Sequence, residues 1–373
     1  MGARGFVKAV AVLALLGPVA RAGASTVVEP IARLSLEGGY DSNPLYDGSG
    51  SAETGRISPD VGLRARDHLY DVQLTYGGDY VAFRDRGEGV WNHRSTFRLA
   101  ATPTQRSEVS GRARLEYARD VLGLAAMGVF RTSRDAALFG DARLRGEYRL
   151  TRRLDLAGTF WEDFVRFDDG TGGAMHAPAV ELLSRAGRHL RVGAATGVSV
   201  FQQFEEESNE TGFAYSLRGR AELRVGRTMR FDVLAGPAWW SGPDGDDSVV
   251  PEASMEFLRA SRDSDLRVEL RHGLGIGSTA RPALVNSAMM GTEWRIGRRA
   301  VLRGDGGLWH SGRAPSGDDA TLGYVAGGEA GLRFGTEWLL SLSAERTGRL
   351  DERIPELDRT VIALRLAWEL VSR

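Results

Sequence analysis

The sequence predicts an all-β protein, a transmembrane antiparallel up-and-down β-barrel of about 18 strands with no separate soluble domain. Three observations support this fold class. Strand-length segments alternate apolar and polar residues along the whole chain, the connections between them alternate between short and long, and an export signal precedes the first strand. We therefore expect an integral protein of the cell outer membrane.

Residues 1–24 have the features of a signal peptide, and residues 25–373 form the predicted barrel. Arg4 and Lys8 precede an apolar run at 10–19, and small residues follow it up to Ala24. A membrane-spanning helix needs roughly 18 or more apolar residues. Because this run is shorter, it favours export and cleavage over an N-terminal anchor.

The composition excludes several classes of function. The chain has no cysteine, which excludes disulfides and thiolate metal sites. Its formal net charge of -1 excludes a nucleic-acid-binding protein that acts through bulk charge. Lys8 is the only lysine, and this preference for arginine reflects either genomic base composition or recognition of carboxylates and phosphates.

The predicted strands differ in how clearly their residues alternate. Alternation is clear at 57–65, 109–117, 142–150, 154–160, 213–225, 266–276, 324–334, 338–344 and 360–370. It is weaker at 33–41, 69–82, 91–101, 176–185, 190–202, 229–240, 249–258, 285–296 and 301–310. Together these segments give the strand number, which is even as in bacterial outer-membrane barrels.

The connections are sorted by length, which predicts a meander with both termini on the periplasmic side. Turns such as 151–153, 226–228 and 297–299 are short, whereas every second connection is longer. The longest, 119–135, has an apolar centre that is unusual for an exposed loop. It either folds inward as a constriction or extends the flanking strands above the membrane.

The stretch YSLRGRAELRVG at 215–226 indicates which face of the sheet meets lipid. Tyr215, Leu217 and Leu223 share one face, and Arg218 and Arg224 share the other. Arginines that faced lipid near the bilayer midplane would cost roughly 2–4 kcal/mol each. We therefore expect the apolar face to contact lipid and the charged face to line a lumen with a backbone radius on the order of 18 Å.

Charged residues in the lumen phase are the predicted lining residues. They can present ladders of hydrogen bonds to a passing solute, or neighbouring strands can supply carboxylates that pair with the arginines. The set comprises Arg112, Arg114, Glu116, Arg143, Arg145, Glu147, Arg218, Arg220, Glu222, Arg224, Arg267, Glu269 and Arg271.

An enzymatic function is not predicted, because a nucleophile, a base and an orienting acid are required together. Only His310-Ser311, with Asp318-Asp319 nearby, approaches such a set, and neighbours in sequence do not form a triad. No histidine and carboxylate spacing suggests a metal site, so we expect no catalytic residue, metal or cofactor.

The first strand resembles the opening strand of outer-membrane barrels associated with exopolysaccharide production and export. The similarity lies in Gly39, Tyr40, Asp41, Ser42 and Asn43, which lead into the first outer loop, and extends loosely to the strand number and the lack of a soluble domain. The resemblance implies a porin-like channel through which polysaccharide crosses the outer membrane, working with a periplasm-spanning copolymerase.

Two alternatives to polysaccharide passage remain open. A general diffusion porin for small solutes would show a long loop folded inward, and a closed structural or anchoring barrel would show a filled lumen. Outer-membrane lipid and lipopolysaccharide surround the barrel in every case, and no nucleic-acid partner is expected.

Overall fold

The computed structural model describes residues 26–44, 50–84, 89–119, 128–129, 136–205, 209–242, 245, 247–277, 280–314, 316, 320–350 and 358–370. The predicted signal peptide at 1–24 lies outside these residues, as does most of the segment 119–135. None of the described residues lies in a helix long and apolar enough to cross a membrane.

Eighteen antiparallel strands form one closed sheet, which confirms the predicted fold class. Each strand pairs with the next along the chain, and β1 also pairs with β18. The strands are β1 (Val27–Asp41), β2 (Ala52–Arg66), β3 (Tyr70–Phe83), β4 (Gly89–Thr104), β5 (Ser107–Ala118), β6 (Ala137–Arg149), β7 (Leu154–Phe167), β8 (Gly172–Arg185), β9 (Leu190–Phe204), β10 (Asn209–Val225), β11 (Met229–Ser241), β12 (Asp247–Ala260), β13 (Ser264–Ile276), β14 (Pro282–Ile296), β15 (Ala300–Arg313), β16 (Thr321–Phe334), β17 (Trp338–Arg349) and β18 (Arg359–Glu369).

Many strands extend beyond their predicted bounds at the outer end, opposite the termini. The segment predicted at 154–160 runs on to Phe167 in β7, for example. Val165 and Phe167 lie buried inside the barrel there, whereas Arg166 between them is exposed. The apolar face therefore turns from the outside to the inside, and the alternation typical of the membrane-spanning part ends.

The two faces of each strand have opposite environments. In β10, Tyr215, Leu217 and Leu223 are 48%, 47% and 40% exposed on the outside, whereas Ser216 and Glu222 are 6% and 1% exposed inside. The predicted orientation is therefore the one the barrel adopts. Outward apolar side chains of this kind form the band that contacts lipid in an outer-membrane barrel.

The interior is divided along the barrel axis into an apolar outer part and a charged periplasmic part. Two apolar clusters fill much of the outer part. The first interior cluster contains Ala118, Val129, Ala137, Phe139, Val165, Phe167, Ala280, Ala283, Val285, Trp309 and Val325. The second contains Met175, Phe201, Ala214, Ala238, Trp240, Val250 and Leu274.

Candidate functional site in the barrel interior

A hairpin formed by the outer ends of β13 and β14 leaves the barrel wall and folds into the lumen. The ladder between β12 and β13 ends at Ala253 and His272. The ladder between β13 and β14 continues to Ile276 and Pro282. Residues 273–277 and 280–284, which we name the inward hairpin, therefore remain paired with each other but have separated from β12.

The sequence explains why this ladder stops. Pro237 of β11 and Pro251 of β12 lie directly opposite each other, and neither can donate a backbone hydrogen bond. The two prolines therefore form a non-hydrogen-bonded pair. The backbone nitrogen of Pro251, which carries no hydrogen, points towards β13. By the register of this ladder, Pro251 would face Leu274 in the next hydrogen-bonded pair, and that pair is lost.

Gly273 provides the bend. Its φ of 153° lies outside the range that side-chain-bearing residues adopt readily. A Cβ atom at this position would lie 3.1 Å from Cγ of Glu252, whose side chain points into the barrel. The backbone of β13 thus passes over the interior side of β12 rather than beside it.

The tip of the inward hairpin reaches a part of the wall that is not adjacent to β13 and β14. β13 and β14 contact β8 and β9, which are not their neighbours in the sheet. A Cβ atom on Gly173 of β8 would lie 2.3 Å from the carbonyl oxygen of Ala280. Arg281 forms an ion pair of 3.2 Å with Glu205, next to the end of β9. The hairpin therefore crosses part of the lumen, from β13–β14 to β8–β9.

Each face of the inward hairpin packs on a different apolar cluster. Ala283 and Val285 belong to the first interior cluster, and Leu274 belongs to the second. Ile276 packs against both. Since burial of large apolar side chains contributes about 1.5–3 kcal/mol each, these contacts hold the hairpin inside the barrel.

Below the hairpin, an aromatic ring and two arginines join the two sides of the lumen. The guanidinium carbons of Arg143 in β6 and Arg271 in β13 lie 4.2 and 4.4 Å from the centre of the Trp161 ring in β7. This geometry is favourable for a cation and an aromatic face. Arg271 also donates to the carbonyl oxygen of Leu274 at 2.7 Å, which ties the stack to the inward hairpin.

The periplasmic part of the lumen contains a charge network across β6–β11. Arg191 lies 2.7 Å from Glu147, 3.1 Å from Asp155 and 3.2 Å from Glu222. Arg220 pairs with Glu181 and Asp232, and Arg145 also pairs with Glu181 at 2.7 Å. Because buried carboxylates need partners to offset their desolvation, each carboxylate is shared between arginines.

The predicted lining residues fall into two groups. Most are paired: Arg114 with Glu116, Arg145 with Glu147, Arg218 with Glu252, Arg220 with Asp232, Arg224 with Glu222, and Arg267 with Glu256 and Glu269. Within the described part of the chain, Arg112, Arg143 and Arg271 have no carboxylate within ion-pairing distance. Arg112 has Arg143 and Arg267 among its charged neighbours, together with Asp141 and Glu269.

The apolar segment 119–135 enters the lumen where the structure describes it. Val129 is 2% exposed and belongs to the first interior cluster. A Cβ atom on Gly128 would lie 2.6 Å from the Trp309 ring. These two residues therefore fold inward, as one of the two predicted alternatives for this segment requires. The rest of the segment, 120–127 and 130–135, lies outside the described residues.

The first-strand motif joins the ends of the barrel. The carboxylate of Asp41 accepts hydrogen bonds of 2.9 and 3.0 Å from Nε of Arg359, the first residue of β18. The Ser42 amide donates to the carbonyl of Thr360, and the Thr360 amide donates to the Ser42 hydroxyl. Asn43 donates to the carbonyl of Asp358 at 3.3 Å. These contacts close the outer end of the β1–β18 seam.

His310 and Ser311 cannot act as a base and its nucleophile, because they lie on opposite faces of β15. Ser311 is buried inside the barrel, whereas His310 pairs with Asn286 on the outer surface. Asp318 and Asp319 lie outside the described residues. In the described ranges, no three acidic or histidine side chains are grouped so that they could hold a metal ion.

Sequence reasoning missed the interior residues that lie on weakly alternating strands. Trp161 stands next to Phe160, and its inward orientation follows from the phase of β7 rather than from its residue type. Arg191, Glu181 and Asp232 would follow from extending the phase of each strand. Their ion-pair partners could not be predicted in this way, because pairing across β8, β9 and β11 depends on the register between these strands.

Comparisons with known proteins show a general barrel likeness. No protein-family model matches the chain, and no curated protein matches it. Solved structures similar to it include OpdK from Pseudomonas aeruginosa (10% identity, TM-score 0.42, covering 92% of this chain and 99% of that one). A BenF-like porin from Pseudomonas fluorescens Pf-5 (10%, 0.44, 92% and 98%) and Acinetobacter baumannii OccAB3 (9%, 0.43, 92% and 99%) are also similar. Identities and TM-scores this low support no statement about solutes.

Proposed function

We propose that the chain is an outer-membrane channel for small solutes whose bore is narrowed by the inward hairpin. The observation that carries this proposal is the contact of Ala280 and Arg281, across the bore, with Gly173 on β8 and with Glu205 next to the end of β9. An inward segment of this kind is the feature expected of a diffusion porin rather than of an open polymer conduit. A long glycan would have to displace the hairpin and separate both interior clusters.

The unpaired arginines are where a passing solute would meet charge. Arg143 and Arg271 lie on the Trp161 ring below the hairpin, and Arg112 lies opposite Arg143 in the β5–β6 ladder. They are separate from the ion-paired network around Arg191 and Arg220. An arginine that lacks a carboxylate partner can form a bidentate contact with a carboxylate or phosphate group of a solute. The remaining predicted lining residues stabilise the barrel wall, because charged side chains on the same or neighbouring strands neutralise one another.

The proposal is tested by pushing the hairpin tip away from β8. In the variant Gly173→Val the new side chain meets the Ala280 carbonyl, whereas Gly291→Val, also inside the barrel, enters open space. We expect Gly173→Val to raise single-channel conductance in planar bilayers and the size limit for sugars in liposome swelling. Gly291→Val should match the wild type. Equal behaviour of all three proteins would refute the hairpin as the constriction.

Passage of polysaccharide, assisted by a periplasm-spanning copolymerase, is the second candidate. The resemblance of residues 39–43 to export barrels favours it, although these residues also have a structural task at the β1–β18 seam. Long exopolysaccharide fragments that block wild-type openings, where monosaccharides do not, would support this candidate. Silence from folded Gly173→Val as well as from the wild type would favour a closed anchoring barrel.

A further inference from the structure

The departure of the inward hairpin leaves a groove on the outer surface of the barrel. Above Ala253 and His272, β12 pairs only with β11, and β13 pairs only with β14. The lipid-facing surface follows β13 inward at this point. The groove has a volume of about 470 Å³, which lies within the range of small-molecule sites.

The walls of the groove are apolar and belong to the lipid-facing side of the sheet. They are formed by Val233, Met255, Leu270, Ala288, Leu308 and Leu322 from β11–β16. Leu308 and Leu270 are among the exposed large apolar side chains of the barrel. In the membrane such a concavity excludes water, so its occupant is a molecule dissolved in the lipid.

A row of three polar side chains crosses the groove. His272 lies 2.6 Å from Asn286 through Nδ1 and Oδ1, and Asn286 lies 3.3 Å from His310 through Nδ2 and Nδ1. Because the amide oxygen only accepts and the amide nitrogen only donates, His272 carries its proton on Nδ1 and neutral His310 carries its proton on Nε2. The row therefore leaves an acceptor at Nε2 of His272 and a donor at Nε2 of His310.

Polar and ionisable side chains on the lipid side of a barrel are costly and indicate a site. Within the described residues, Nε2 of neither histidine has a hydrogen-bond partner. One donor and one acceptor complement a carboxyl group, whose O–H can donate to His272 while its carbonyl oxygen accepts from His310.

We propose that this groove binds a long-chain fatty acid from the outer leaflet. The acyl chain lies along the apolar walls, and the carboxyl group contacts His272 and His310. The site is outside the lumen, so it does not depend on the proposed channel function. No covalent step is involved.

Equilibrium binding of radiolabelled palmitate to the barrel in lipid nanodiscs tests the proposal. Ala288→Trp fills the groove, and Leu364→Trp places the same ring on the exposed lipid face of β18 as a matched control. We expect saturable binding to the wild type and to Leu364→Trp, and its loss in Ala288→Trp. Heat-modifiable migration on gels checks that each variant is folded.

The polar row is tested separately with the double variant His272→Leu/His310→Leu. Loss of two hydrogen bonds to the head group should weaken palmitate binding by about tenfold or more, with no such effect on an uncharged alkane probe. Non-saturable binding to the wild type, or equal binding by Ala288→Trp and Leu364→Trp, would overturn the site. Binding of palmitate to the double variant at wild-type affinity would overturn the role of the histidines.

Discussion

At the residue scale, the burial of a charged side chain decides how much its ion pair contributes to stability. Asp41 and Arg359 are 2% and 3% exposed through their side chains, and they join the outer ends of β1 and β18. Arg33 and Glu369 join the same two strands at the periplasmic end but are 47% and 50% exposed. A buried charge without its partner is strongly destabilising, whereas an exposed pair contributes little because water screens it.

Replacing one member of the buried pair should therefore weaken barrel closure. We expect Arg359→Met to lower the free energy of unfolding by about 3–5 kcal/mol, measured by urea unfolding in lipid vesicles. Arg33→Met is the matched control, with an expected loss of about 1 kcal/mol or less. The double variant Asp41→Leu/Arg359→Met should recover part of the loss. Equal effects of Arg359→Met and Arg33→Met would contradict this assignment.

At the element scale, the inward hairpin depends on two local breaks in regular strand geometry. Pro251 removes a donor from the β12 edge, and Gly273 supplies a backbone conformation that other residues adopt at a cost. Neither residue would divert a strand alone, because other prolines, such as Pro59 and Pro178, interrupt a ladder that then resumes. At β12 and β13 the interior clusters bind the separated hairpin, and the ladder does not resume.

Substitution at the bend should loosen the hairpin without unfolding the barrel. Gly273→Ala places a Cβ atom 3.1 Å from Glu252 at a φ of 153°, and we expect a cost of about 1 kcal/mol or more. Amide hydrogen exchange should become faster at 274–277. Gly304→Ala is the control, since its Cβ atom would have contacts no closer than 3.6 Å. Unchanged exchange at 274–277 would show that the bend does not need glycine.

At the scale of the whole molecule, the sheet has a face towards lipid and a face towards the polar interior. Apolar side chains such as Leu342 and Leu364 pair on the lipid-facing surface and are 55% and 54% exposed there. The charge network inside stays away from lipid because the strand period places every second side chain inward. A single substitution on the outer face therefore tests the orientation of the sheet.

We expect Leu342→Arg, inside the apolar band, to make folding into lipid vesicles less favourable by about 2–4 kcal/mol. Val28→Arg, at the periplasmic start of β1, should cost about 0–1 kcal/mol because the penalty falls towards the interface. Both positions face outward in the structure. A cost at Leu342 no larger than at Val28 would be inconsistent with the assigned lipid-facing surface.

The strand number, the meander order and the orientation of the sheet follow from the amino-acid pattern alone. These features are local or repeated along the chain. The alternation within each strand, as around Leu217 and Arg218, shows which side chains share a face, and each turn interrupts that alternation. The closure of β1 onto β18 then follows, because an open sheet edge in lipid would leave its backbone groups unsatisfied. The extended strand ends were not predicted; in β7 the apolar face at the outer end turns towards the interior.

The contents of the lumen, in contrast, depend on the three-dimensional arrangement of the strands. The contact between Ala280 and Gly173 and the stack of Arg271 on Trp161 join strands that are not neighbours in the sheet. Arg191 on β9 pairs with carboxylates on β6 and β7 as well as on the adjacent β10. Alternation places a side chain inside but does not say what lies across the bore. That depends on strand register, on where a ladder stops and on how apolar surface is buried once it stops.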